Sequence, residues 1–248
     1  MIKIKSEQEI KMMIGAGRIL ASVLKEIEKK IKPGITTLEL DRAAEALILS
    51  MGAKPAFKGH ERFPYSLCAS VNENVVHGYP SNYVLKEGDI IGLDLGVLYK
   101  GYYSDMAITV AVGKVAFEAK RLIDIAKKSL RLAIKKVRPG NTVGDIGNTI
   151  QRFVEDQGFS VVRDLCGHGI GKELHEDPKI PNFGKRGTGE KLVEGMVICI
   201  EPMITAGDFN LKKSSDGFGF ATKDGSLSAH FEHTIAITKF GAKILTEL

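Results

Sequence analysis

The chain has 248 residues, of which 44% are hydrophobic, and a formal net charge of +5. That length can bury a sizeable core, and so mild a positive balance does not by itself argue for nucleic-acid binding. The three cysteines, Cys68, Cys166 and Cys199, contain no CxxC pair and are odd in number, which argues for a reduced, cytoplasmic compartment and against a disulfide framework.

The N-terminus, MIKIKSEQEIKMM, carries charges throughout and has no apolar core of a signal peptide. No apolar run approaches the length of a membrane span. A helical pattern runs from Glu7 to Lys30 and is halted by Pro33-Gly34. Thr36 or Thr37 then caps a second helix that ends at Gly52. KEGDIIGLDLG (86–96) turns into an apolar, β-branched run that reads as a buried strand ending in a carboxylate, Asp94. The next strand, SDMAITVAV, has Asp105 at its start.

The pattern then repeats. A helix over Ala116 to Lys136 is halted by Pro139-Gly140, Thr142 caps another, and Gly158 ends it; both glycine landmarks recur at an offset of 106 residues. VEGMVICIEPM (193–203) matches the first strand and ends in Glu201, and FEHTIAIT follows with Glu232. Two copies of about 106 residues signal a duplication and not a solenoid array. The expectation is one α+β domain over 1–248 made of two pseudo-symmetric halves, about 1–110 and 111–248. Four carboxylates would converge where the halves meet. The lysine-rich stretches at 25–32 and 131–138 read as solvated helix faces.

Residues 167–176, GHGIGKELHE, place His168 and His175 seven apart among three glycines. The spacing is not that of HExxH, and Cys166 and Glu173 stand where a P-loop needs Gly and Ser or Thr. The glycines predict a tight loop that aims side chains. An unpaired buried carboxylate is very costly, and two divalent cations would balance the roughly −4 charge of four acids. One histidine of the loop can complete a metal's shell and the other can face substrate. Such an oxygen-rich set favours Mn²⁺, Fe²⁺, Co²⁺ or Zn²⁺.

NENVVHGYP, DLG, SDMA, GHGIGKELHE, EPM and FEHT, in this order and spacing, resemble the methionine aminopeptidases over nearly the whole chain. The short N-terminus is similar to the bacterial type I form. The resemblance implies the pita-bread fold, with a curved, antiparallel-rich central sheet and outer helices. It implies that Asp94, Asp105, His168, Glu201 and Glu232 bind two divalent metal ions, with Asp105 and Glu232 bridging. It implies that His77 and His175 contact substrate and that Phe63, Cys68, Leu174 and Phe218 line a methionine pocket. Hydrolysis of the first peptide bond by a dinuclear-metal-bound hydroxide would follow, with a small second residue preferred. Glu201 would shuttle the proton to the leaving nitrogen, and His175 would stabilise the oxyanion. The implied partners are nascent polypeptide N-termini and the ribosome near its exit tunnel. No membrane or specific nucleic-acid partner is implied, and the chain would act as a monomer.

The sequence departs from the family's common YHGFP, with His60, Glu61 and Arg62 standing where Tyr, His and Gly are usual. Val76 stands where Cys is common and Phe218 where Trp is common. The remaining histidines read blandly. His60 and His230 are expected at the surface or in loops, and His233 is expected to face away from the metals. Cys166 and Cys199 are expected as buried thiols. Proline-directed peptidases share the ligand pattern but carry a further N-terminal domain. A metal-free scaffold of this fold would have lost the five ligands, and all five are present.

Overall fold

The computed structural model describes residues 2–214 and 217–248. Helix α1 spans Glu7–Glu28 and α2 spans Thr37–Ser50. Each starts with a reciprocal capping box, Ser6 with Glu9 and Thr36 with Glu39, which satisfies two backbone donors that a helix start leaves open. Of the two threonines considered as caps, Thr36 takes the role, and Thr37 instead exchanges hydrogen bonds with Ser81. Met13, Ala16, Leu20, Leu24 and Ile27 recur every three or four residues, so one stripe of α1 is buried.

The second half repeats this plan with α3 (Phe117–Ile134) and α4 (Val143–Asp156), the latter capped by Thr142 with Asp145. Gly52 (φ 71°) and Gly158 (φ 80°) lie just past the C-caps of α2 and α4 in the left-handed region, which fits the glycine-terminated ends expected of both.

In the first half, strand β1 (Leu67–Val71) and strand β3 (Tyr102–Ala111) flank the central β2 (Ile90–Tyr99), all antiparallel. A two-residue turn at Lys100 and Gly101, both with positive φ, joins β2 to β3. In the second half, β4 (Cys166–Gly169) pairs with β5 (Glu176–Pro181) and with β6 (Val197–Ile200). A short strand, β7 (Ser228–His230), leads into β8 (His233–Thr238), which pairs with β6. Mixed helices and antiparallel sheets in this order are the α+β pita-bread architecture.

Each half has a helix-covered core. Leu20, Leu24, Leu40 and Ile48 pack on Ile91, Leu93 and Leu95. Leu122, Leu130, Ile146 and Ile150 pack with Ile198, Ile200, Ile235 and Ile237. A third cluster, containing Met13, Cys68, Ile170, Leu174 and Cys199, lies between them.

The halves are zipped along β3. Glu232 N donates to Ala107 O at 2.9 Å, and Thr234 Oγ1 both accepts from Asp105 N at 2.9 Å and donates to Asp105 O at 2.8 Å. Thr109 Oγ1 does the same for His230, donating to its carbonyl and accepting from its amide, each at 2.9 Å. These backbone and threonine hydrogen bonds hold the seam that positions the acids. Among the described residues, no helix is long and apolar enough to cross a membrane.

Candidate metal centre

Strand period two puts Gly92, Asp94 and Gly96 on one face of β2, while Ile91, Leu93 and Leu95 enter the helix-covered core. Asp94 pairs across the ladder with Ala107, so Asp105, two residues before it on β3, stands on the same face as a diagonal neighbour. In the other half the register pairs Ile200 with His233. One step beyond lie Glu201 and Glu232, the carboxylates that leave β6 and enter β8. Asp94 sits mid-strand, not at the strand end that the sequence suggested.

His168 comes from β4. Here the glycines do something other than form a loop. Gly167 and Gly169 lie within the strand, and a Cβ on them would come within 2.3 Å of Cys199 O and 2.1 Å of Asp177 O. They allow neighbouring backbones to close on the strand that carries His168. Only the stretch from Gly171 to His175 is a turn.

The His-Gly pair of NENVVHGYP has its own local cause. His77 takes φ 57°, uncommon for a side chain with a Cβ. A Cβ on Gly78 would lie 2.4 Å from Ala69 O, so only glycine fits against β1 there.

Among the described residues, no lysine or arginine forms an ion pair with the acids where they meet His168. His168 Nε2 lies 3.7 Å from Glu201 Oε1 and 4.0 Å from both Asp105 Oδ2 and Glu232 Oε1. Its Nδ1 lies 2.8 Å from Gly169 O. A carbonyl only accepts, so Nδ1 carries the proton and Nε2 presents a lone pair to the acids. Burial, helped by the nearby His175, holds the His168 imidazole down to about 4, so it is neutral. Asp94 Oδ1 and Glu232 Oε1 are buried with no hydrogen-bond partner.

Burial pushes the Asp94 carboxyl up to about 6. Burial, then mutual repulsion, pushes Asp105, Glu201 and Glu232 well above the usual carboxylate range. A convergence of acceptors with unsatisfied oxygens is what a cation resolves. Candidate ligand atoms of Asp94, Asp105 and Glu232 lie within 4.8 Å of one another, as do those of His168, Glu232 and Cys199. Cys199 fits poorly as a ligand. Its thiol is pushed well above the usual range by burial and sits 3.6 Å from Thr234 Oγ1. The donor set of four carboxylates and one imidazole fits hard divalent cations.

A cavity of about 430 Å³ opens over the cluster. All four residues named for the methionine pocket line it, together with His77 and His175. Phe63, Cys68 and Leu174 are buried, and the rings of Phe63 and Phe218 meet edge to face at 5.6 Å. Tyr79, which sequence reasoning missed, stacks on Phe218 at 5.8 Å and backs this wall without lining the cavity. The His175 ring stands edge-on to His168 at 4.5 Å. Both His77 and His175 show surface to the cavity but are ringed by protein, and poor solvation of their charged forms lowers both pKa values. His60 is exposed as expected, yet its ring meets His175 at 5.4 Å. Arg62, where the family commonly has Gly, takes φ 69°, and Glu61 takes φ 45°. The replaced motif keeps a glycine-like backbone without the glycine.

Two expectations are corrected. His230 is not a surface residue; it is buried at the end of β7, with Nε2 3.5 Å from Glu201 Oε2. The signal was available, because His230 precedes Glu232 by two residues on an extended segment and so shares its side. Cys166 is half-buried, not buried, and borders a second cavity beside His168 and Lys179. Two others stand: Cys199 is fully buried, and His233 turns away, with Nδ1 2.8 Å from Thr246 Oγ1.

The model of metallopeptidase family M24 matches residues 11–239. The methionine aminopeptidase of Clostridium perfringens is 51% identical to this chain over 99% of both chains. Methionine aminopeptidase 1 of Bacillus subtilis is 46% identical over the full length of both. The crystal structure of methionine aminopeptidase from Thermotoga maritima superimposes with a TM-score of 0.99 at 46% identity, covering both chains completely. Prolidase from Pyrococcus horikoshii is more distant, with a TM-score of 0.79 at 29% identity. It matches 98% of this chain but only 63% of its own. Family and acid cluster agree that the chemistry here uses divalent metal. The chain belongs to metallopeptidase family M24 and, within it, to the methionine aminopeptidases.

Proposed function

We propose that this chain removes the initiator methionine from nascent polypeptides in the cytoplasm, preferring a small second residue. It would act as a single, internally duplicated domain and as a monomer working close to the ribosome. The observation that carries the proposal is the convergence of Asp94, Asp105, His168, Glu201 and Glu232 on the floor of a cavity that Phe63, Cys68, Leu174 and Phe218 also line.

Asp94, Asp105, His168, Glu201 and Glu232 would hold two divalent cations. The hard donor set suits Mn²⁺, Fe²⁺, Co²⁺ or Zn²⁺. When bound, the cations supply Lewis acidity to the scissile carbonyl and activate water near neutral pH. The protein supplies the rest. Phe63, Cys68, Leu174 and Phe218 receive the thioether side chain, for which a soft, apolar surface is suited. His77 orients the peptide beyond the scissile bond. His175, neutral and edge-on to His168, is placed to donate to the developing oxyanion. Glu201, at the edge of the cluster with Oε2 3.5 Å from His230 Nε2, can carry a proton to the leaving nitrogen.

The test is methionine release from a Met-Ala-Ser peptide by chelator-stripped protein, with and without added Mn²⁺ or Co²⁺, beside an N-acetylated control. Metal-dependent release from the free peptide alone is expected. If no metal restores release with any first residue, the proposal is wrong.

A further inference from the structure

The segment ahead of α1 makes a buried ion pair that no step above uses. Lys5 Nζ lies 2.7 Å from Glu176 Oε2, and the two side chains are only 5% and 3% exposed. Lys5 Nζ also donates to Lys3 O at 3.1 Å, and Lys5 N donates to Gly195 O at 2.8 Å, which fastens the strap to the turn before β6. The other oxygen of Glu176, Oε1, accepts from Lys172 N at 3.0 Å and Glu173 N at 3.3 Å, and meets Lys3 Nζ at 3.3 Å.

Glu176 thus gathers the turn that precedes it. That turn has no helix or strand of its own, and Lys172, Glu173 and His175 in it are exposed. Leu174 is its one apolar anchor and lines the cavity, so its shape depends on polar anchoring. The packing is tight, because a Cβ on Gly171 would sit 2.6 Å from Lys5 Cε and 2.9 Å from Glu176 Oε1.

We propose that the Lys5–Glu176 pair is a positioning device. It locks the 171–176 turn so that His175 stands over His168 and Leu174 faces the first side chain of the substrate. The proposal rests on His175 and Leu174 being the substrate contacts proposed above. Lys5 and Glu176 touch no substrate themselves. A merely structural pair would lower the melting temperature and leave turnover of the folded enzyme alone. A positioning pair must change the geometry of His175 in molecules that remain folded.

The experiment compares Lys5→Met, Lys5→Arg and Gly171→Ala with the parent enzyme, well below the melting temperature. Kinetics on Met-Ala-Ser, Mn²⁺ titration by calorimetry and amide exchange of the 171–176 turn are measured on each. For Lys5→Met, kcat is expected to fall about tenfold or more, with KM changed by less than about threefold. Mn²⁺ affinity stays at the parental value, and exchange in the turn rises while β2 and β3 stay protected. Lys5→Arg, which keeps the charge, recovers most of kcat.

Parental kcat together with parental exchange in the turn, despite a lowered melting temperature, overturns the proposal. If Lys5→Met does not fold, Gly171→Ala tests the same contact with both charges kept. A kcat and an exchange rate unchanged there overturn the proposal equally. Failure of the parent itself to release methionine would count against the proposed function, and the exchange data would still judge the strap.

Discussion

At His168 a single hydrogen bond decides the chemistry available. Because Gly169 O holds the proton on Nδ1, the Nε2 lone pair faces three carboxylates at 3.7–4.0 Å, too far for hydrogen bonds and without a proton to share. Removing the ring leaves the acids, but with one fewer neutral donor for a cation. Changing Asp105 to its amide removes a negative charge and one candidate oxygen. His168→Ala and Asp105→Asn are therefore expected to abolish turnover and weaken metal binding together, by a factor of about 100 or more in affinity. Calorimetric Mn²⁺ titration of each variant checks this, and a variant that keeps parental turnover removes its residue from the ligand set. The types and order of these residues were legible in the sequence. His230 was misread because a histidine carries no fixed preference for inside or outside, and its one signal was its place two residues before Glu232. The structure shows that its Nε2 faces Glu201.

At the scale of elements, helix limits followed from Pro-Gly stops, threonine caps and C-terminal glycines, because those are local signals. What local signals could not give was the conformation of GHG. Glycines read alone suggest a turn; here two of them let three strands close up, a cause that lies in the backbones of Asp177 and the more distant Cys199 on neighbouring strands. This gives a test. Gly167→Ala would place a methyl against Cys199 O on one side and Ile180 Cβ at 3.2 Å on the other, both on neighbouring strands and unable to swing away. Overpacking of this kind costs roughly 1–3 kcal/mol, and the displaced strand carries His168. Thermal unfolding should show the loss of stability, and turnover below the melting temperature should drop as well. A variant with parental melting temperature and parental turnover would mean that β4 has slack the contacts do not show. Gly34→Ala is a useful contrast: a Cβ there meets nothing within 4 Å, and its cost comes only from φ 96°.

Across the whole molecule, two antiparallel strand pairs each bring two acids to one seam: Asp94 and Asp105 on β2 and β3, Glu201 and Glu232 at the ends of β6 and β8. The closeness of those acids makes the stability of the molecule depend on pH and metal together. In the folded, metal-stripped protein, burial raises the Asp94 carboxyl from the ordinary 3.8 to about 6, and Asp105, Glu201 and Glu232 further still. An unfolded chain releases these protons near pH 4, while the folded chain holds them. Between those values the folded state binds more protons, so stability falls as pH rises. The stabilising contribution is complete below about pH 4, and for Asp94 it is lost as pH passes about 6. Glu9 and Asp224, held down to about 2 by hydrogen bonds to Ser6 and to the amides of Asp208 and Ser226, act in the opposite sense, but only below about pH 4. Between about pH 4 and 6.5 the buried histidines, with His77, His168 and His233 held down to about 4, oppose the acids because the unfolded chain protonates them first. The melting temperature of chelator-stripped protein should therefore decline from about pH 6.5 to about pH 8, where only the acids still hold excess protons. With saturating Mn²⁺ the acids are matched by charge, and a ligand bound only by the folded state adds stability by mass action. The loaded protein should then melt higher, with the gap widening toward pH 8 as protons no longer compete for the same oxygens. Asp105→Asn should flatten the stripped profile, because one of the coupled acids is gone. A stripped protein whose melting temperature is level across this range would show that the four carboxylates are not the close, buried group that the fold brings together.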